Sequence, residues 1–123
     1  MRIHRVLIVD DGGIGSSKLG DCLAADRIDV SVAESGRDII AIADELRPEV
    51  LVLGATLDPV AGCDLCRRLK CEFPLVDVLV IVSVADIQDL EAVVDAGAND
   101  FAVSPIHEPE LRRRVDNLLA RRI

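Results

Sequence analysis

The stretches VLVL at residues 50–53 and VLVIV at residues 78–82 are continuous apolar runs rich in β-branched side chains. Such residues favour β-strands, and a run without polar alternation indicates a strand that is covered on both faces. Parallel strands that lie between two layers of helices are covered in this way. These two stretches therefore predict the centre of a parallel sheet with helices on either side.

Shorter apolar runs of the same kind occur at residues 6–9, 30–33 and 101–103 and predict three further strands. Segments with the three- and four-residue apolar spacing of helices follow each strand. Their apolar positions are Leu19, Cys22 and Leu23; Ile39, Ile40, Ala43 and Leu46; Leu65 and Leu69; Leu90, Val93 and Val94; Leu111, Val115, Leu118 and Leu119. This alternation of five strands with five helices predicts a doubly wound parallel sheet.

Proline and glycine mark the ends of the predicted helices. Pro48 and Pro74 each follow an apolar helical segment, and Gly97 stands where the residue after a helix C-terminus is usually found. The last helix is expected from Pro109 to about Arg122. No linker or repeat interrupts the pattern, so we expect a single domain over residues 1–123.

The composition excludes several classes of function. The 123 residues have a mass of 13.3 kDa and are 50% apolar, which suits one compact domain. A formal net charge of −8 opposes direct binding to nucleic acid or anionic lipid, and the absence of tyrosine and tryptophan removes most stacking platforms. The first apolar run is too short for a signal peptide or a membrane span, so we expect a cytoplasmic protein.

Two local patterns resemble binding motifs without their full residue sets. The glycine-rich segment 12–17 lacks the third glycine of a dinucleotide-binding loop and the Gly-Lys-Ser/Thr of a P-loop, which favours a simple turn with a serine helix cap. Cys63, Cys66 and Cys71 have no second Cys-x-x-Cys pair, and neither histidine lies at ligand spacing. We therefore interpret these cysteines as structural thiols.

The strand ends carry the candidate functional residues, because ligands of open α/β sheets bind where the carboxyl ends of the strands meet. Asp10 and Asp11 follow the first strand, and adjacent carboxylates repel unless a cation such as Mg²⁺ or a basic partner compensates them. Asp11 as a cap of the first helix is an equally weighted alternative. Gly54, Ser83 and Ser104 follow the third, fourth and fifth strands.

Six short motifs occur along the chain in a fixed order. They are VLIVDD at 6–11, RPEVLVLG at 47–54, LCRRLK at 65–70, VLVIVS at 78–83, AGANDF at 96–101 and SP at 104–105. With these motifs the whole chain resembles the receiver domain of two-component response regulators. The resemblance implies a flavodoxin-like (βα)5 three-layer sandwich whose parallel sheet has the strand order 2-1-3-4-5, in agreement with the pattern above.

The resemblance also implies a role for each of the residues at the strand ends. In receivers, two acids after the first strand, matched by Asp10 and Asp11, bind Mg²⁺ together with an aspartate that ends the third strand. That aspartate accepts a phosphoryl group from a histidine kinase. A Ser or Thr after the fourth strand, matched by Ser83, and a lysine before a proline, matched by Pro105, contact the phosphoryl oxygens. Phe101 matches the aromatic switch position of the family.

Two positions depart from the family pattern. Gly54 stands where the phosphoacceptor aspartate is expected, and Ser104 stands where the lysine is expected. Glycine cannot form an acyl phosphate, and the lysine has no phosphoryl charge to neutralise once the acceptor is lost. We therefore predict a degenerate receiver, or pseudo-receiver, that is not an enzyme, requires no cofactor and keeps only a weak Mg²⁺ candidate site at Asp10 and Asp11.

Asp58, four positions after Gly54, is the alternative phosphoacceptor. Phosphotransfer to this residue with Mg²⁺ would make the chain an active receiver. The favoured interpretation is that Asp58 begins a turn into the third predicted helix. A structural scaffold, or a receiver domain cut from a longer protein, is a further alternative.

The last two predicted helices carry opposite charges, with acids concentrated in residues 86–95 and arginines in residues 112–122. A solvated charged face is the default interpretation. In receivers, these two helices and the strand between them form the signalling and dimerisation surface. The resemblance thus implies a protein partner, such as a histidine kinase or another signalling protein, and leaves a homodimer open. Neither nucleic acid nor a membrane is expected as a direct partner.

Overall fold

A computed structural model describes residues 3–10, 23, 27–34, 38–54, 59–83, 88–104 and 107–121. Five strands and four helices lie within these ranges. The strands are β1 (His4–Asp10), β2 (Ile28–Glu34), β3 (Val50–Leu53), β4 (Asp77–Ser83) and β5 (Asp100–Ser104). The helices are α1 (Ile39–Leu46), α2 (Pro59–Glu72), α3 (Leu90–Asp95) and α4 (Glu108–Ala120).

The strands form one parallel sheet in the order β2-β1-β3-β4-β5. This order confirms the predicted doubly wound fold. The central strand, β3, is the continuous apolar run VLVL, and all four of its side chains are fully buried. A strand without a polar face needs cover on both sides, which explains why helices pack on both faces of the sheet.

Two apolar cores fill the spaces between the sheet and the helices. The first core joins Leu51 and Leu53 to the buried faces of α1, α2 and α3. The second core joins Val50 and Val52 to α4 and to Leu23. Because consecutive strand residues point to opposite faces, one short strand supplies both cores.

The helix ends lie close to the capping, glycine and proline residues that mark them in the sequence. The carboxylate of Asp38 accepts the Ala41 N–H at 3.2 Å and caps α1 at its N-terminus. Gly97 has a left-handed φ of 97°, as expected for the residue after α3. The last helix begins at Glu108, one residue before the expected start at Pro109. It ends at Ala120, two residues before the expected end near Arg122. Pro109 is accommodated in its first turn, where the missing N–H would have no helical partner.

The first predicted helix lies outside the described residues except for Leu23, which is helical and buried. Within the described part of the chain, no helix has the length and apolar character needed to cross a bilayer.

Candidate functional site

The carboxyl ends of parallel strands meet at one edge of the sheet, which we call the carboxyl edge. Asp10 is the last residue of β1, while Ser83 and Ser104 are the last residues of β4 and β5. Gly54 directly follows β3. The fold therefore brings four of the predicted site positions to the same edge, whereas Asp11, Asp58 and Pro105 lie outside the described residues.

Gly54 is buried beside the end of β1. Its N–H donates to the carbonyl oxygen of Val9 at 2.8 Å, which extends the β1–β3 ladder by one hydrogen bond and places position 54 next to Asp10. The alternation of β3 puts this position on the same side of the sheet as Val50 and Val52, in the direction of the second core. Glycine supplies no side chain there, so the ladder continues without a functional group.

Ser83 and Ser104 are register partners at the end of the β4–β5 ladder. Each lies two residues after a member of the second core, Ile81 on β4 and Ala102 on β5, so both serines belong to the α4 side of the sheet. Both are half-buried. Positions 54, 83 and 104 thus share one face, on which Ser104 and Ser83 are neighbours.

This arrangement limits the chemistry of the carboxyl edge. Hydroxyl groups donate and accept hydrogen bonds, but they do not neutralise a phosphoryl group as an ammonium group does. Gly54 offers no nucleophile. Among the strand-end positions that the structure describes, positions 54, 83 and 104 therefore contribute neither a carboxylate nor a cation.

The donor set fits Mg²⁺ less well than three carboxylates would. Mg²⁺ takes one or two carboxylates and keeps several waters, so Asp10 and Asp11 could hold it without a ligand from position 54. Among the described residues, no group of three or more His, Cys, Asp or Glu side chains is placed to hold a metal ion. The ion, when bound, would supply charge neutralisation at the strand ends, and its affinity would be lower with Gly54 than with aspartate.

Phe101 lies half-buried on β5, where it is the register partner of Val80. The guanidinium carbon of Arg114, on α4, lies 5.6 Å from the centre of its ring. Arg114 also donates through Nη1 to Asp100 Oδ1 at 2.8 Å and through Nη2 to Glu110 Oε1 at 2.9 Å. The hydrogen bond that Arg114 donates to the Glu110 carboxylate is the main cause that raises the pKa of Arg114, so the guanidinium stays charged over Phe101.

Arg114 departs from the default interpretation of a solvated charged face. Its side chain is only 31% exposed, and it connects α4 to β5. The four-residue spacing of Glu110 and Arg114 is a sequence signal for their ion pair. The contact with Asp100 and Phe101 depends on the packing of α4 against the sheet, which the spacing does not reveal.

The cysteines on α2 do not form a reactive or metal-binding group. Cys63 and Cys66 are buried in the first core, while Cys71 is exposed. Burial raises the pKa of the Cys66 thiol to about 11, and burial also raises the pKa of Cys63. Neutral buried thiols act as small apolar side chains.

Comparisons with known proteins find a matching family model and similar sequences. The family model described as the response regulator receiver domain matches residues 6–116. The chain is 30% identical over 116 residues to the probable transcriptional regulatory protein TcrX of Mycobacterium tuberculosis, covering 94% of this chain and 50% of that protein. It is 29% identical over 117 residues to the response regulator MprA of Mycolicibacterium vanbaalenii, covering 95% and 51%. The chain thus spans about half the length of these relatives.

Solved structures share the fold over nearly the whole chain. A response regulator candidate from Chloroflexus aurantiacus superposes with a TM-score of 0.84 and 30% identity, covering 97% of this chain and 99% of that chain. A response regulator from Thermotoga maritima has a TM-score of 0.85 and 22% identity, covering 96% and 98%. The second likeness concerns the fold alone.

Proposed function

Since the chain belongs to the response regulator receiver domain family, we propose that it is a pseudo-receiver that signals through protein contacts and accepts no phosphoryl group. Receiver domains are signalling modules rather than enzymes, and they interact with histidine kinases and other proteins. The proposal treats residues 1–123 as one receiver-like module of a two-component or phosphorelay system in the cytoplasm. Gly54 is the single observation that carries it.

Gly54 removes the atom on which receiver chemistry depends. An acyl phosphate forms when a carboxylate oxygen attacks phosphorus, and glycine has no side-chain oxygen. The position is buried, and its N–H is held by Val9 at 2.8 Å. The backbone therefore supports the strand end in its usual place, while the nucleophile is missing from it.

Ser104 supports the same proposal independently. It faces Ser83 across the last rung of the β4–β5 ladder, at the position where a receiver would place an ammonium group over the phosphoryl oxygens. Loss of one acid at position 54 and one base at position 104 leaves the formal charge of the site unchanged. A lost lysine alone would leave three family carboxylates without a cation, so the paired loss is electrostatically coherent.

Without phosphorylation, partner contacts must supply the free energy that selects between conformations. The proposed contact surface consists of α3, β5 and α4. It exposes Val94, which is 56% accessible, beside Glu91 and Asp95 on α3, and it includes the arginines of α4. A histidine kinase or another signalling protein of complementary charge fits this surface, and a second copy would fit by isologous pairing.

The competing function is phosphotransfer to Asp58, with Mg²⁺ held by Asp10 and Asp11. The observation in its favour is the four-residue spacing from Gly54, which keeps Asp58 in the connection between β3 and α2. This function predicts a covalent adduct, whereas the pseudo-receiver predicts none.

Incubation with acetyl phosphate and Mg²⁺, followed by measurement of the intact mass, separates the two functions. The natural chain is expected to stay unmodified. The variant Gly54→Asp/Ser104→Lys restores both family residues and is expected to gain one phosphoryl group, which Gly54→Asn/Ser104→Lys should not gain.

An adduct on the natural chain that disappears in Asp58→Asn would overturn the proposal and establish the competing function. A double variant that is folded by circular dichroism but stays unmodified would refute the role assigned to Gly54. The Asn-containing variant controls for side-chain volume, because an uncharged amide nitrogen replaces one carboxylate oxygen of the restored acceptor.

A further inference from the structure

A cavity lies at the amino edge of the sheet, which we define as the edge where the strands begin. It has a volume of about 350 Å³ and is formed by the C-terminal parts of α1 and α2 and by the turns that lead into β3 and β4. This volume lies within the range of roughly 300–1,000 Å³ that is typical of small-molecule sites. The cavity is on the opposite edge from Gly54, so it is separate from the function proposed above.

The floor of the cavity is apolar. Ala43 of α1, Leu69 of α2 and Val76 at the start of β4 are buried members of the first core that also line the cavity. Phe73 is half-buried beside them. Leu75 extends the apolar surface outward and, with 84% of its area accessible, is the most exposed large hydrophobic residue among those described. An apolar ligand would cover this side chain together with the floor.

Backbone hydrogen bonds hold both walls in place. In the α1 wall, the Arg47 N–H donates to the carbonyl of Ala43 at 2.8 Å. In the α2 wall, the Phe73 N–H donates to the carbonyl of Leu69 at 2.8 Å, and the Val76 N–H donates to that of Phe73 at 3.0 Å. The concavity is therefore formed before any ligand enters, which reduces the entropic cost of binding.

The charges around the cavity favour a cation. Arg47 is held by Asp44, with its Nη2 3.4 Å from the carboxylate and its Nε donating to the carbonyl oxygen at 2.9 Å. The carboxylate of Glu49 lies 3.0 Å from His4 Nδ1. Glu72, the last residue of α2, is exposed and makes no ion pair within the described part of the chain. It is the lining carboxylate that is available to a ligand.

We propose that this cavity binds an amphipathic monocation, a small amine whose apolar body covers the floor and Leu75 and whose ammonium group lies at Glu72. Lys70 does not compete for this position, because its Nζ donates to the carbonyl of Val76 at 2.7 Å and to Asn99 Oδ1 at 3.1 Å. An anionic ligand would meet the carboxylates of Glu49 and Glu72. The one available acid fits one positive charge.

Titration of the ¹⁵N-labelled chain with n-hexylammonium chloride at constant ionic strength tests the site. Amide shifts are expected for Phe73, Leu75 and Val76. Hexanol has the same apolar body without the charge and is expected to bind two- to fivefold more weakly, which is the range for one exposed ion pair. Hexanoate is expected to bind more weakly than hexanol.

Two variants separate the charge from the apolar contact, and both change exposed side chains, so the fold should be retained. Glu72→Gln is expected to reduce hexylammonium affinity to that of hexanol. Glu91→Gln, on α3, is the matched control for net charge and should leave the affinity unchanged. Leu75→Ser is expected to weaken both ligands by a similar factor.

Equal affinities for hexylammonium and hexanoate would overturn the proposal, as would an equal effect of Glu72→Gln and Glu91→Gln. The absence of shifts at the cavity up to the solubility limit of the amine would also overturn it. None of these outcomes bears on Gly54, so failure here is distinguishable from failure of the pseudo-receiver proposal.

Discussion

At the amino edge of the β4–β5 pair one side-chain amide joins three elements, whereas at the carboxyl edge the same two strands end in facing serines. Oδ1 of Asn99 accepts the Val78 N–H at 2.9 Å and Lys70 Nζ at 3.1 Å, and the Asn99 N–H donates to the Val78 carbonyl at 2.8 Å. Ser83 and Ser104 are joined to their strands by ladder pairing. Asn99 therefore links β4 to α2 and to the segment before β5, and we expect it to contribute more to stability than Ser104 does at the other edge.

Under the pseudo-receiver proposal, this contrast explains how a receiver domain keeps its fold without phosphoryl transfer. Strand polarity places the ligand-binding groups of an open α/β sheet at the carboxyl edge. The groups that fix the sheet against its helices lie in the two cores and at the amino edge. In the proposed pseudo-receiver, Gly54 and Ser104 change the first set and leave the second in place, because the β3 side chains that form both cores precede position 54.

The largest effect is expected from Asn99→Ala. The substitution removes the acceptor of the Val78 N–H, and Val78 is fully buried, so an unsatisfied donor remains in the core. Such a group costs about 1–3 kcal/mol, and we expect the free energy of unfolding to fall by about 2 kcal/mol. Urea denaturation followed by circular dichroism measures this change.

Two further variants sharpen the same comparison. Asn99→Asp keeps the acceptor oxygen and adds a charge beside Lys70, so it should stay within about 0.5 kcal/mol of the natural chain. Ser104→Ala, at the other end of β5, should also cost less than about 0.5 kcal/mol. Equal losses from Asn99→Ala and Ser104→Ala would break the proposed difference between the two edges.

A smaller effect is expected when a charge is returned to the carboxyl edge. Gly54→Asp places a carboxylate next to the end of β1, where its repulsion from Asp10 and Asp11 lowers stability in the absence of divalent cations. Mg²⁺ at tenfold its dissociation constant should then raise the free energy of unfolding by about 1.4 kcal/mol. Urea denaturation with and without Mg²⁺ measures the effect.

Gly54→Asn has nearly the same side-chain volume without the charge and should show only the smaller response of the natural chain to Mg²⁺. A Mg²⁺ response that is the same in both variants would show that position 54 contributes no ligand. The site would then depend on the residues after β1 alone.

The strands could be predicted because they are encoded locally. β3 coincides with the apolar run 50–53, and the other four strands extend beyond their runs by one or two residues at each end, as at His4 and Glu34. Strand pairing adds these flanking residues, because the backbone of a polar residue forms hydrogen bonds with a neighbouring strand as readily as the backbone of an apolar residue does. The strand order followed from the resemblance to receivers, and the structure confirms it.

Contacts between distant elements could not be predicted. The sequence indicates that Asn99 lies between α3 and β5, but the acceptor role of its side chain requires Lys70 and Val78 to be brought together by the sheet. The amino-edge cavity could not be predicted for the same reason, because Glu49 and Glu72 lie in different segments that only the folded chain brings to one cavity. Strand-end positions are predictable from strand polarity alone, while these clusters depend on how helices pack.

A smaller effect than that of Gly54→Asp is expected at Arg114, which contacts the first two residues of β5 on the proposed contact surface. Arg114→Lys keeps the charge but cannot hold Asp100 and Glu110 with separate nitrogens or stack a planar group over Phe101. For a side chain 31% exposed we expect a loss of about 0.5 kcal/mol, reduced by high salt. Urea denaturation at two salt concentrations measures it.

The exposed Arg113 on the same helix provides the control, because Arg113→Lys should change neither stability nor its salt dependence. The ring resonances give an independent measurement, since the chain has only two phenylalanines and those of Phe101 should shift in Arg114→Lys alone. If both variants behave alike, Arg114 does not hold the ring. The position of Phe101 would then depend on packing against β4 rather than on the charged contact from α4, and partner binding at α4 would have no direct route to Phe101.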